Sequence, residues 1–447
     1  MKKFIRFMRG ALIVILVLVA IHQIASMILS RRVASKLAEI KAQGDPVSMA
    51  ELGKIDIPDS ENGATIYMQI FKEMGSAILS TNGVPHHSGL DGTRNIDYME
   101  FFIGKKPTPE MWVKGKKSMA TYQHALDLVD DASSRQRCQF KTNWKDGAGS
   151  VFPHYGILRE LSRMLMLDAQ ISAREGDMNK AVKRVGQIFK ISKSIEGDPI
   201  LLSLLTQMQV IRIGLKSINA IQQYGTINGA HIKYLDGILT RLDPDRSYLL
   251  AMKGERTQAI HEYNRLLNIN RLPNMPWYAR IISPILRPAI YADELINLDY
   301  WEKKLEMAKF PYIETPESRI SNREKNKVTK YAIWSRTIVS VYSKSVLTRD
   351  FMISSIRSAR AYLGLIAYKE KFGEYPQSLD ELRSKLGWKV DVDPLTSKDF
   401  HYKRQGAGFL LYGVGPNLRD DGGVFRRKKV TDLPSDEYDD IVWQLAR

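Results

Sequence analysis

The stretch "MKKFIRFMRGALIVILVLVAIHQIASMILSRR" constrains this chain more than any other part of it. From Ala11 to Leu29 no side chain carries a charge. At about 1.5 Å per residue such a run matches a hydrocarbon core of roughly 30 Å. A cleaved signal peptide needs a shorter apolar region followed by small residues at a cleavage site. Here the run ends at Ser30-Arg31-Arg32 and helix-favouring residues continue through "VASKLAEIKAQ". We therefore expect an uncleaved transmembrane helix with a stalk over 1–43, not a buried core helix, because both flanks are cationic. Lys2, Lys3, Arg6 and Arg9 face Arg31, Arg32 and Lys36 across the span, so the positive-inside rule is indecisive. The short segment before the span is the easier one to leave in the cytoplasm. The expectation is a single-pass protein of a bacterial inner membrane with its bulk outside the cytoplasm. His22 and Gln23, late in the span, read as interfacial polarity, not as a proton path.

Charge extends the same theme. The chain of 447 residues carries a formal +17, with 44% hydrophobic and 26% charged residues. That balance excludes wholesale disorder. The cationic excess suits a basic soluble surface or an anionic partner, such as lipid headgroups, an envelope polymer or nucleic acid. Cys138 is the lone cysteine, which leaves the redox compartment open and reads as a small packed hydrophobe.

The middle, 44–345, reads as helical. Ser48 with Glu51 has capping-box spacing, and Asp59 or Ser60 is a candidate cap for a helix carrying Ile66, Ile70 and Phe71. Helices over about Tyr155–Arg174 and Met178–Ile195 are joined by Glu175-Gly176-Asp177, with Ala169, Ala173 and Ala181 allowing close approach. "AREGDMNKAV" resembles the turn of a tetratricopeptide repeat, without a recurrence that would make an array. Ile200 to Tyr224 is apolar around most of its circumference and should be central. "YLLAMKGERTQAIHEYNRLL" continues as helix, its Glu255 and His261 on different faces. The prolines between Pro273 and Pro288 suggest an extended strap over the bundle. A second reading lays this segment on the membrane beside the anchor, with Trp277 and Tyr278 at headgroup depth. His86-His87 lacks the geometry of a helical zinc pair, and "ESRISNREKNKVTK" reads as a solvated linker.

Residues 346–447 read as a small α+β unit. A helix from Val346 ends at Gly373, Tyr375-Pro376 turns the chain, and a short helix follows, capped by Ser378. Two strands, about Phe400–Lys403 and Phe409–Val414, flank Gly406-Ala407-Gly408. A chain starting near Val346 is expected to fold alone. The order of "AYLGLIAYKEKFGEYPQSLDELR", "VDPLTSKDFHYK", "GFLLYGVGPNLRDDGG" and "DDIVW" resembles the globular part of the major pseudopilin of type II secretion systems. The resemblance covers about Ser355 to Trp443. It implies a calcium-binding loop, with Asn417, Asp420, Asp421, Asp439 and Asp440 as the oxygen donors. Asn417-Leu418 stands where that family has Asp-Gly, and Arg426 to Lys429 would oppose a cation. Val14, Ile15 and Leu16 stand where a pseudopilin carries a glutamate, which argues against assembly into a filament.

No phosphate loop, zinc-protease motif or nucleophile elbow is present. The reading favoured is a membrane-anchored scaffold or interaction protein without catalysis, linked to secretion or envelope assembly. An extracytoplasmic enzyme with a non-local active site is the second reading. A binder of nucleic acid or anionic polymer is the third, with nucleic acid the less favoured ligand.

Overall fold

A computed structural model describes residues 2–52, 57–74, 107–135, 137–269, 276–315, 335, 345–424 and 440–445. His86-His87, the linker from Glu317 to Lys330, Arg426 to Lys429 and Asp439 lie outside these residues.

Helix α1 is continuous over Lys2–Ala42 and holds a window long and apolar enough to cross a membrane, none of it buried. It is the one helix among the described residues that meets this test. After the short α2 (Met49–Leu52), α3 (Gly63–Glu73) is capped by Asn62, whose side chain accepts from the Ala64 amide. That corrects the expected Asp59 or Ser60. The same Asn62 holds Gln139 through both its amide atoms at 2.9 Å, so the cap also ties in a remote extended segment. Helices α4 (Pro109–Thr121) and α5 (Gln123–Ser134) follow.

The expected hairpin forms as α6 (Pro153–Arg174) and α7 (Met178–Ile195). Gly176 takes φ +91°, and Asp177 caps α7 through the Lys180 amide. Ala169, Ala173 and Ala181 are all buried where the two helices meet. Helix α8 (Leu201–Ile221) packs on both. Its first turn is capped from a distance: the Leu201 amide donates to Glu255 Oε1 at 2.6 Å. Glu255 is thus a structural residue, which disposes of any pairing with His261. Helices α9 (Gly229–Leu239) and α10 (Pro244–Leu267) complete this layer.

The proline-rich segment corrects an expectation. From Trp277 on it is no strap but the first turns of α11 (Trp277–Met307), with Pro284 and Pro288 inside the helix; Pro273 lies outside the described residues. An internal proline removes one backbone donor and is tolerated when neighbours compensate. Helix α11 packs against α10 and against α1.

In the C-terminal part, α12 (Ser345–Phe372) ends at Gly373, φ +82°, and α13 (Leu379–Leu386) is capped by Ser378 as expected. Strands β1 (His401–Gln405) and β2 (Gly408–Gly413) pair antiparallel, Tyr402 opposite Leu411. A third strand, β3 (Ile441–Leu445), joins β2 with Leu411 opposite Trp443, giving the order β1-β2-β3. Ile441-Val442-Trp443 of the "DDIVW" stretch therefore belong to a strand.

Among the described residues two large clusters of buried apolar side chains make most of the core, beside a small one of Tyr263, Leu267 and Ile290. One gathers Tyr67, Phe71, Phe140 and Tyr155 with the inner faces of α6 and α7. The other runs from Phe189 through Trp301 to Tyr362, Phe409 and Trp443. This second core crosses Val346 without a break. Helix α12 lies on β2 and β3 and also on α8, α9 and α10. Arg360 bridges Asp236 of α9 at 2.7 Å, and Tyr362 donates to Gln222 beyond the end of α8.

Candidate functional site

A cleft of about 600 Å³ opens where the end of α5, the extended segment after it, the end of α7 and the start of α10 meet. Among its charged lining residues the cations dominate: Arg135, Arg137, Lys190, Lys193 and Arg246 outnumber Glu196 and Asp198. Lys190 is engaged, reaching Asp130 at 2.8 Å while Lys183 reaches the same carboxylate at 3.2 Å. Burial works against the Asp130 anion, yet these two ammonium groups hold its carboxyl below the usual range. Arg135 pairs with Asp131 at 3.5 Å. Arg137, Lys193 and Arg246 form no ion pair among the described residues, and all three are exposed. Glu196, the acid nearest them, is nearly buried. Burial raises its carboxyl above the usual range against the pull of Lys193 and Arg246.

Behind the cleft lies a group of titratable residues. Tyr155 donates to Asp198 Oδ2 at 2.9 Å, and His154 Nε2 stands 3.9 Å from the same oxygen. The imidazole is stacked on Phe140, ring centroids 4.2 Å apart, and Tyr155 meets it edge-on. Cys138 lines the cleft and is half-buried. A cysteine, a histidine and an aspartate near one cleft invite a nucleophile–base–orienter reading. The geometry opposes it. At 3.9 Å there is no hydrogen bond between His154 and Asp198, and His154 Nε2 is buried without a partner. Burial, and then the Asp198 charge, push the Cys138 thiol well up, so the thiolate a nucleophile needs is suppressed. What the arrangement can do is take up an anionic group between Arg137, Lys193 and Arg246.

The acidic loop of the C-terminal part is placed as follows. Asn417 Nδ2 donates to Asp421 Oδ2 at 2.8 Å, and Asp420 Oδ1 accepts from the Gly422 amide at 2.9 Å. Asp440 Oδ2 accepts from the Gly423 amide at 2.8 Å. Asp420 Oδ2 faces His401 Nε2 at 3.6 Å. The loop and the start of β3 are thus brought together, with most of these oxygens turned to their own neighbours. Asp440 Oδ1 is buried with no partner, and burial, ahead of the Asp421 and Asp420 charges, raises this carboxyl. Among the described residues no group of three His, Cys, Asp or Glu side chains could hold a metal ion.

The sequence reading did not single out His154, Asp198, Arg137 or Arg246. No short motif links them; they come from separate stretches of the chain, of which Asn62 holds the one after α5 through Gln139. The one local signal was Asp198-Pro199, a chain reversal. No protein-family model, no curated protein and no solved structure matches the chain.

Proposed function

We propose that this chain is a membrane-anchored scaffold, held by α1, whose helical body and C-terminal α+β part stand outside the cytoplasm and bind a partner without catalysing a reaction. One observation carries the anchor. Helix α1 leaves its apolar window uncovered by the rest of the molecule, while the same helix packs onto α11 only from about His22 onward. An apolar helix destined for a soluble core would be covered on most of its circumference. The non-catalytic part is supported by Cys138, whose protonated thiol lacks a base, and by His154, which is shut in by Phe140 and Tyr155. Kinship of the C-terminal part with pseudopilins, and with it a role in secretion, belongs to the same proposal. It is supported by the order helix, Gly373 turn, short helix, sheet. The test is fractionation of cells: the full chain should need detergent, and removal of residues 1–32 should leave the rest soluble. A full chain released by high salt alone would reduce α1 to peripheral contact.

A second reading has its own observation, the cleft cations Arg137, Lys193 and Arg246 that form no ion pair among the described residues. There the bound group is a carboxylate- or phosphate-bearing polymer. Arg137→Ala with Arg246→Ala should then weaken retention on an anionic resin at physiological salt at least several-fold, and the wild-type interaction should fall steeply as salt rises. Equal retention of variant and wild type would remove the cleft from the account.

A further inference from the structure

The cleft between α5, α7 and α10 holds one acid whose position works against its own charge. Glu196 is the residue on which α7 ends, its amide donating to the Lys193 carbonyl oxygen at 3.1 Å. It is 9% exposed, and its carboxylate forms no hydrogen bond or ion pair among the described residues. A helix C-terminus carries the negative end of the backbone dipole, and burial strips water from an anion. Both disfavour the carboxylate. Burial, with Asp243 adding to it, outweighs the pull of Lys193 and Arg246, so the proton stays on to higher pH than on an ordinary glutamate. Asp198, the other acid of the cleft, is committed: it accepts from the Tyr155 hydroxyl at 2.9 Å. Glu196 is thus the acid left to answer the cations.

Those cations stand on separate, fixed pieces of backbone. Arg137 sits where its carbonyl oxygen accepts from the Gly63 amide at 2.8 Å. Arg246 is in the first turn of α10, its own amide held by Asp243 at 3.0 Å. Lys193, in the last turn of α7, donates to the Arg241 carbonyl oxygen at 3.2 Å, which leaves its charge unneutralised. Arg135 and Lys190 line the same cleft but are paired with Asp131 and Asp130. Of the neighbours that could titrate, burial keeps the Cys138 thiol and the Tyr155 hydroxyl protonated, and His154 stands behind Asp198. An ionised Glu196 sets one negative charge against three unpaired positive ones. A protonated Glu196 leaves all three for a ligand.

We propose that Glu196 gates the cleft, which takes up a phosphodiester polymer when this side chain is neutral and resists it when the side chain is a carboxylate. The inference rests on the reading of the cleft as a site for an anionic polymer, and it narrows that reading. A polycarboxylate loses its own charge in the acid range where Glu196 loses its charge, so it gains little there. A phosphodiester keeps its charge throughout. Nucleic acid is the less suited phosphodiester. No aromatic side chain lines the cleft among the described residues, so bases would find no stacking platform.

The test uses the full chain in detergent with fluorescent poly(glycerol phosphate), at fixed ionic strength, at pH 5 and pH 8. Wild type should bind about threefold tighter at pH 5, the size of one partly exposed charge interaction. Glu196→Gln keeps the shape and should bind at pH 8 as wild type binds at pH 5. Its own change with pH should be less than half of wild type's, the remainder belonging to histidines. By reciprocity, binding should draw protons from solution between these two pH values, read by calorimetry of wild type in two buffers. Binding without proton uptake overturns the gate without recourse to any variant. Equal pH dependence in wild type and Glu196→Gln, with binding lost in Arg137→Ala/Arg246→Ala, keeps the cleft and overturns the gate. Unchanged binding in that double variant removes the cleft and the gate together. An oligothymidylate of equal charge that binds more tightly assigns the cleft to nucleic acid and overturns the choice of polymer.

Discussion

Glu294 of α11 is the clearest case of a residue at odds with its surroundings. It is 1% exposed and neither carboxylate oxygen has a hydrogen-bond partner. Burial raises its pKa from 4.5 to about 7. A raised folded-state value means that the native protein holds the proton more firmly than the unfolded chain. The stability it contributes is therefore fully present below about pH 4.5 and is lost as pH rises through 7. Glu294→Gln should flatten that part of the profile and stabilise the protein at pH 8 by up to about 3 kcal/mol. Thermal melts at pH 5 and 8 decide this; an unchanged slope in the variant would place the titration elsewhere. Gly254 makes a separate point, about space. A Cβ there would come within 1.6 Å of the Pro199 carbonyl oxygen, because α10 crosses the turn before α8 backbone to backbone. Gly254→Ala should cost at the upper end of the roughly 1–3 kcal/mol typical of overpacking, read as a lower melting temperature. No sequence pattern marks either residue, since both effects are set by what the fold brings against them.

At the scale of elements, helices with their own punctuation were legible. Helix α7 begins and ends where Asp177 and Ile195 indicated, and α12 stops at Gly373. Local chemistry decides such boundaries. Gly373 has open space around its Cβ position, so Gly373→Val tests conformation alone. Forcing a β-branched residue to φ +82° should cost about 1–2 kcal/mol, and Gly373→Asn should cost less. Equal losses would mean that the turn is not what strains the variant. What could not be read is equally specific. The prolines of α11 suggested an extended strap, whereas the helix they open packs along α1, more than two hundred residues earlier in the chain. The cap of α3 was placed two or three residues early, because Asn62 is also held by its bond to Gln139. Strand β3 pairs across a long connection, and its residues alone carried no turn to announce it.

At the scale of the whole molecule, one apolar core runs on across Val346. Helix α12 buries side chains on opposite faces, against the sheet and against α8, α9 and α10. A chain starting at Val346 leaves the second face open. Such a fragment should be aggregation-prone or molten, without a cooperative melt, and adding Asp236 and Gln222 back in a chain starting at Ile200 should restore one. A sharp transition from the shorter fragment would show that the sheet suffices, as its sequence suggested. The central claim, that α1 anchors a body standing outside the cytoplasm, is tested most directly by protease added to intact spheroplasts of a bacterium expressing the full chain with a tag after Arg447. The account expects the tagged body to be digested from outside while cytoplasmic markers survive. A body that stays whole until the membrane is lysed would contradict it.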